Sequence, residues 1–132
     1  METALAHIQL NISDATKSLG FYKDLFAYFE YKIIDESPEY IGISNGTTDF
    51  WIIQTEARHN ITTFHRKNTG LNHIAFNVGS KENVDKFCSE FLKLGNVSTL
   101  YNSPKLFPEY SPDYYAVFFE GPDRIKIEVM CK

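Results

Sequence analysis

LAHIQLNI at residues 5–12 returns as LNHIAFNV at residues 71–78, 66 positions later (73 − 7). Leu5, His7, Ile8 and Asn11 recur as Leu71, His73, Ile74 and Asn77, and Leu10 and Ile12 are answered by Phe76 and Val78. Both octets place Ile, Leu, Phe or Val at alternate positions, the two-residue period of a strand with one apolar face. The repeat then runs on. Ser13-Asp14 follows the first octet as a helix start, and Leu19, Tyr22, Leu25 and Phe26 form an apolar stripe at helical spacing. Gly79-Ser80 follows the second octet, with Val84, Phe87, Phe91 and Leu94 as the matching stripe. Phe21 and Phe87, Asp24 and Glu90, and Leu25 and Phe91 keep the same offset. A strand and a helix repeated in one register point to duplication.

Three strand-like runs follow each helix. In the first half they are YFEYKII (28–34), YIGIS (40–44) and FWIIQ (50–54), with Asn45-Gly46 as a turn between the last two. In the second half they are NVSTLY (96–101), YYAVFFE (114–120) and RIKIEVM (124–130), with Gly121-Pro122-Asp123 as the turn. Each half therefore reads as strand, helix and three strands, an α+β pattern of two βαβββ modules. The modules span 1–55 and 71–132 of a single domain, 1–132, and the polar stretch 56–70 links them. A second irregular stretch, 102–113, holds three of the five prolines and is expected to be a lid or a partner-binding loop.

Composition bounds the function. Apolar residues at 43% and aromatics at 15% are those of a folded chain. The net charge of −4, with no Lys/Arg cluster, argues against nucleic acid as a partner. No apolar run nears the roughly 20 residues of a membrane span. METALAHIQL lacks a basic n-region and an apolar h-region, so no signal peptide is predicted. Cys88 and Cys131 then read as free thiols in a reducing, cytoplasmic setting, and the four Asn-X-Ser/Thr matches as chance.

Strand alternation divides the faces. Ile8, Leu10 and Ile12 oppose His7, Gln9 and Asn11; Ile74, Phe76 and Val78 oppose His73, Ala75 and Asn77; Ile125, Ile127 and Val129 oppose Arg124, Lys126 and Glu128. The apolar faces need the helices. The polar faces need water, ligand or metal, because an unpaired buried polar group costs about 1–3 kcal/mol. Laying TDFWIIQ (48–54) over PDRIKIE (122–128) matches Asp49 with Asp123 and Gln54 with Glu128. Each half then offers one imidazole and one oxygen group, and His7, Gln54, His73 and Glu128 form a candidate site. Two imidazoles with a carboxylate suit a divalent metal such as Zn, Ni, Co, Mn or Fe.

HIQLNISDATKSLGFYKDLF, the second HIAFNV and YYAVFFEGPDRIKIEVM together resemble the vicinal oxygen chelate superfamily of glyoxalase I, fosfomycin-resistance transferases and extradiol dioxygenases. The resemblance implies two modules joined in a curved mixed sheet that cups one metal. That metal holds two vicinal oxygens of a small substrate. By position, His7, His73 and Glu128 match the family's ligands, Gln54 a fourth ligand of some glyoxalases, and Glu128 a ligand carboxylate that serves as base. A homodimer is implied too, with the two modules of one site drawn either from one chain or, by module exchange, from both. Ala27 departs from the pattern where Gly is common, and GPDR stands for DPDG. Gln9 and Phe118 replace the Thr and Tyr of fosfomycin transferases.

The leading expectation is a metal-dependent lyase or isomerase of the glyoxalase type, with Glu128 catalytic and Gln9, Phe50, Phe118 and Lys126 on the substrate pocket. Ring cleavage at Fe(II) on His7, His73 and Glu128 is the second reading. Metal-free sequestration of a drug-like molecule, as in bleomycin-resistance relatives, is the third, drawing on aromatics such as Phe50, Trp51, Tyr110, Tyr114, Tyr115 and Phe118.

Overall fold

The computed structural model describes every residue, Met1–Lys132. The chain separates into two compact units, Met1–Thr63 and Phe64–Lys132, each built around its own four-stranded mixed sheet.

The first unit runs β1 (His7–Ile12), α1 (Ala15–Tyr28), β2 (Lys32–Ser37), β3 (Tyr40–Ser44) and β4 (Asp49–Gln54), in sheet order β1-β4-β3-β2. β1 and β4 are parallel and the other pairs antiparallel. Asp14 starts α1 by accepting the Lys17 N–H at 3.2 Å, satisfying a donor the helix itself cannot. Leu19, Tyr22, Leu25 and Phe26 of α1 are buried, as are Leu10, Ile12, Ile41, Ile43, Phe50 and Ile52 of the sheet. His7, Gln9 and Asn11 are exposed on the other face of β1, so the alternation read in the sequence holds. The Asn45-Gly46 turn is present, with Asn45 Oδ1 accepting the Thr47 and Thr48 N–H groups and Gly46 at φ 87°.

The second unit runs β5 (His73–Asn77), α2 (Lys81–Phe87) continuing into a π-helical turn (Cys88–Leu92), β6 (Thr99–Leu106), β7 (Tyr115–Glu120) and β8 (Lys126–Cys131), in order β5-β8-β7-β6. β5 and β8 are parallel. All six residues of β8 are buried. Val129 and Ile127 lie beside Val117 and Phe119 of β7, on the face where Phe119 meets Phe87 of α2. The alternate positions, Lys126, Glu128 and Met130, lie beside Glu120, Phe118 and Ala116. That second face holds the candidate site.

Three expectations need correction. The run 28–34 is not one strand, because α1 continues to Tyr28 and then closes. The Tyr31 N–H bonds the Phe26 carbonyl, the Glu30 N–H bonds that of Ala27, and Glu30 takes φ 64°. This is a Schellman ending with Glu where Gly is usual, and aromatic Tyr28 and Phe29 imitate strand composition there. Residues 102–113 are not all irregular, because β6 reaches Leu106 across a break in register between Leu100 and Lys105. Ser103 Oγ bridges the break, donating to the Leu100 carbonyl and accepting the Phe118 N–H. Arg124 is not in the last strand: Pro122–Arg124 form a 3₁₀ turn with Asp123 and Arg124 both at φ 58°.

Candidate functional site

The polar face of β8 opens onto a cavity of about 540 Å³ within the second unit. Lys126 and Glu128, two residues apart on one strand, form its floor, with Phe118 of β7 and His73 of β5 beside them. Tyr101 and Lys105 of β6 and Phe107, Tyr110 and Tyr114 of the β6–β7 connection make the walls, and Glu109 lies at the exposed rim. Phe107 and Tyr110 stack at 5.9 Å between centroids, and Phe107 meets Phe118 edge-on at 5.2 Å. These rings form an apolar lining around a charged floor.

Register explains how the charged groups meet. Ala75 is the β5 neighbour of Glu128, and its single methyl leaves the His73 ring room to reach the carboxylate two residues beyond its own neighbour, Lys126. Nε2 of His73 lies 3.1 Å from Oε2 of Glu128. The other oxygen, Oε1, accepts the Tyr114 hydroxyl at 2.8 Å. Glu128 is 2% exposed, so both oxygens need these partners. Burial first, and then the bond to Glu128 and its charge, push the Tyr114 phenol far above its usual range, which keeps it a donor. Asn72 completes the chain: its Nδ2 donates to the Arg66 carbonyl at 3.1 Å, which turns its Oδ1 to His73 Nδ1 at 2.8 Å.

The His73 ring thus faces an oxygen acceptor at each nitrogen. A neutral imidazole carries a single N–H. That N–H serves either Asn72 Oδ1 or Glu128 Oε2, and a metal held between Nε2 and Oε2 would leave it on Nδ1 for Asn72. At 3.1 Å the pair stands at hydrogen-bond distance, and Nε2 and Oε2 are the two atoms that would hold a metal. No third His, Cys, Asp or Glu completes a cluster around the pair.

A second network holds the edge of the cavity. Glu120, the cross-strand neighbour of Lys126, is bound by Arg66 and by Arg124. Lys126 is 8% exposed, with Nζ 5.5 Å from the Tyr101 ring centroid and 5.3 Å from that of Phe118. Burial acts to raise the Tyr101 phenol, but its hydrogen bond with Arg66 and the charge of Lys126 outweigh this and hold it below the ordinary phenol value.

His73, Glu128 and Lys126, marked by strand alternation in the sequence, and Phe118, marked by the family resemblance, line this one cavity. Phe50 is not among the residues that line this cavity; it is buried in the first unit against Phe26 and Tyr31. Gln9 is exposed and bonds Asn11 at 3.0 Å. His7 is exposed at the start of β1, opposite Asp49.

The equivalence drawn between Gln54 and Glu128 fails on strand register. Glu128 pairs with Ala75, which repeats Gln9, and Gln9 pairs with Trp51. Trp51 is therefore the duplicate of Glu128. Matching Asp49 with Asp123 misled the alignment, because Asp49 opens β4 while Asp123 lies in the turn before β8. Gln54 serves α1 instead: Oε1 accepts the Ala15 N–H at 2.7 Å and Nε2 donates to the Ser13 and Thr55 carbonyls. Tyr101, Lys105 and Phe107 leave no signal in the sequence because the break in β6 scrambles their alternation.

A sequence model of the Glyoxalase/Bleomycin resistance protein/Dioxygenase superfamily matches residues 4–129. The uncharacterized protein YqjT of Bacillus subtilis (strain 168) is 33% identical over 126 residues, 94% of this chain and 95% of the relative. A Bacillus halodurans structure provisionally assigned as a glyoxalase superposes with TM-score 0.89 at 34% identity, covering 99% of this chain and 97% of that one. Lactoylglutathione lyase from Agrobacterium tumefaciens superposes with TM-score 0.68 at 17% identity over 98% and 93%, a likeness of fold. With the duplicated βαβββ units and a match running almost end to end, this chain belongs to the Glyoxalase/Bleomycin resistance protein/Dioxygenase superfamily.

Proposed function

We propose that the chain is a metal-dependent enzyme of the glyoxalase type, a lyase or isomerase of a small substrate with vicinal oxygens. The observation that carries the reading is the 3.1 Å approach of His73 Nε2 to Glu128 Oε2 with both outer atoms already held, Nδ1 by Asn72 and Oε1 by Tyr114. A nitrogen and an oxygen donor so fixed suit Zn, Ni, Co, Mn or Fe. His7, the duplicate of His73, is the further ligand that family resemblance suggests. Gln54, the fourth ligand by that resemblance, has its amide committed to the start of α1. Bound there, a divalent ion would draw charge from the substrate oxygens.

The chain's own residues account for the rest of the reaction. Glu128 takes the proton from one oxygenated carbon of the substrate and returns it to the neighbouring oxygenated carbon, while the hydroxyl proton passes from the first oxygen to the second. Tyr114 holds Oε1, so the carboxylate cannot rotate away from its work. Phe107, Phe118 and Tyr110 give the cavity apolar walls beside its floor. The same rings favour a second reading, a binder that holds a planar molecule without chemistry.

Elemental analysis of protein purified without chelators, followed by metal titration of His73→Ala, Glu128→Gln and His7→Ala, tests the first reading. Wild type is expected to hold Zn, Ni, Co or Mn and the His73 and Glu128 variants to lose it. A folded His7→Ala variant with full affinity would remove His7 from the ligand set. Retained Fe(II) would instead move ring cleavage forward, and no uptake at all would leave the binder. Hemithioacetals are the first substrates to screen. The homodimer suggested by the family is checked by sedimentation equilibrium.

A further inference from the structure

Lys126 is the least explained charge in the second unit. A Lys is seldom buried without an anionic partner, and this one is 8% exposed. The carboxylates within its neighbourhood are already engaged. Glu120, directly across the ladder, is held by Arg66 and Arg124, and Glu128, two residues along, is held by Tyr114 and His73. Around the ammonium stand the rings of Tyr101 and Phe118, with the Tyr101 hydroxyl as its hydrogen-bond partner. Rings stabilise a cation in part, but they leave its charge unneutralised and its position fixed. The ammonium faces the cavity, and so do the Phe107 and Tyr110 rings.

Resting on the metal-enzyme reading of this site, we propose that its substrate is a small carboxylic acid. The acid's carboxylate pairs with Lys126, and an adjoining planar apolar group packs against Phe107, Tyr110 and Phe118. Spacing sets the substrate's size. Two residues along a strand span about 7 Å, so the carboxylate on Lys126 and the reacting oxygens at Glu128 belong to one compact molecule. The charge balance sets its class. A single ammonium flanked by apolar rings, with the Glu128 carboxylate two positions away, suits a monoanion and repels a doubly charged phosphate. At the mouth Lys105, over the Phe107 ring at 5.0 Å, and Glu109 oppose each other in charge, so the attraction for an acid comes from Lys126 on the floor.

Calorimetric titration of chelator-treated full-length protein with 3-phenylpropanoate and with 3-phenylpropanamide tests this. The two probes differ in charge and hardly in shape. Wild type is expected to bind the acid about thirtyfold more tightly than the amide. Lys126→Met should bind both alike, and Lys126→Arg should restore much of the preference. Lys126→Gln serves in place of the Met variant if that one does not fold. Equal affinities in wild type, no binding of the acid at millimolar concentration, or a preference that survives in Lys126→Met would each overturn the proposal. Metal uptake of wild type is read separately. If uptake is absent while the preference for the acid stands, the enzyme reading falls and the carboxylate site remains. If metal is taken up and no preference is seen, the carboxylate site falls and the enzyme reading remains.

Discussion

Glu128 and Gln54 are paired by sequence and divided by structure. Glu128 sits mid-strand with both oxygens aimed along the cavity floor, while Gln54 sits at the last residue of β4 and turns its amide to the helix start. Alternation alone puts His73, Lys126 and Glu128 on one face, and that much is legible in the sequence. The failed equivalence arises from a count of residues: β8 begins beyond Asp123, and no sequence property of PDRIKIE marks where the turn releases the chain into the strand. The two residues should part under mutation. Gln54→Leu is expected to leave metal uptake at wild-type affinity and to lower stability by about 1–3 kcal/mol, the cost of stranding a part-buried helix-start N–H. Urea unfolding and metal titration of one preparation check both halves, and loss of metal would return Gln54 to the ligand set.

Elements hold or fail according to how their ends are tied. β3 approaches β4 closely at Gly42, where an added Cβ would come within 2.6 Å of the Trp51 ring, so the glycine makes room for the indole. YIGIS and FWIIQ are legible as strands because β-branched and aromatic residues fill most of their positions. The end of α1 and the break in β6 are not, because a left-handed Glu30 and a bridging Ser103 leave no trace in composition. α2 is tied to β7 from its middle: Asp85 accepts the Tyr115 hydroxyl at 2.7 Å and the Lys81 ammonium at 2.6 Å. The bond from Lys81 and then that from Tyr115 hold the Asp85 carboxyl below its usual range. A depressed carboxyl in the folded state adds stability above its unfolded value of about 4, and loses that stability as pH falls through the folded value. Asp85→Asn should therefore destabilise the protein at pH 7, with the difference from wild type shrinking as pH falls below about 4. Urea midpoints measured across that range decide it, and a difference constant with pH would mean that the charge of Asp85 is not what ties α2 down.

At the scale of the whole chain the duplication is legible from the first octets, since a strand–helix register repeated at one offset has no simpler origin. Its limits are physical too. Duplication preserved the pairing of first strand with last, parallel in both units, and the order of the sheet. It did not preserve what the pairing carries. The first unit sets Trp51 opposite Gln9 where the second sets Glu128 opposite Ala75. It sets Gly42 beside that indole where the second sets Phe118 beside the carboxylate. Bulk and charge have changed places, so the first unit has no carboxylate to answer Glu128. Two histidines in duplicate positions therefore need not mean two metal sites. Metal titration should saturate at one equivalent per chain, and Glu128→Gln should abolish it rather than halve it. Saturation at two equivalents, or a Glu128→Gln variant that keeps one, would show that the first unit binds metal on its own, through His7 without a carboxylate at the duplicate position. One equivalent, lost with Glu128, would place the metal chemistry in the half of the repeat that kept its acid.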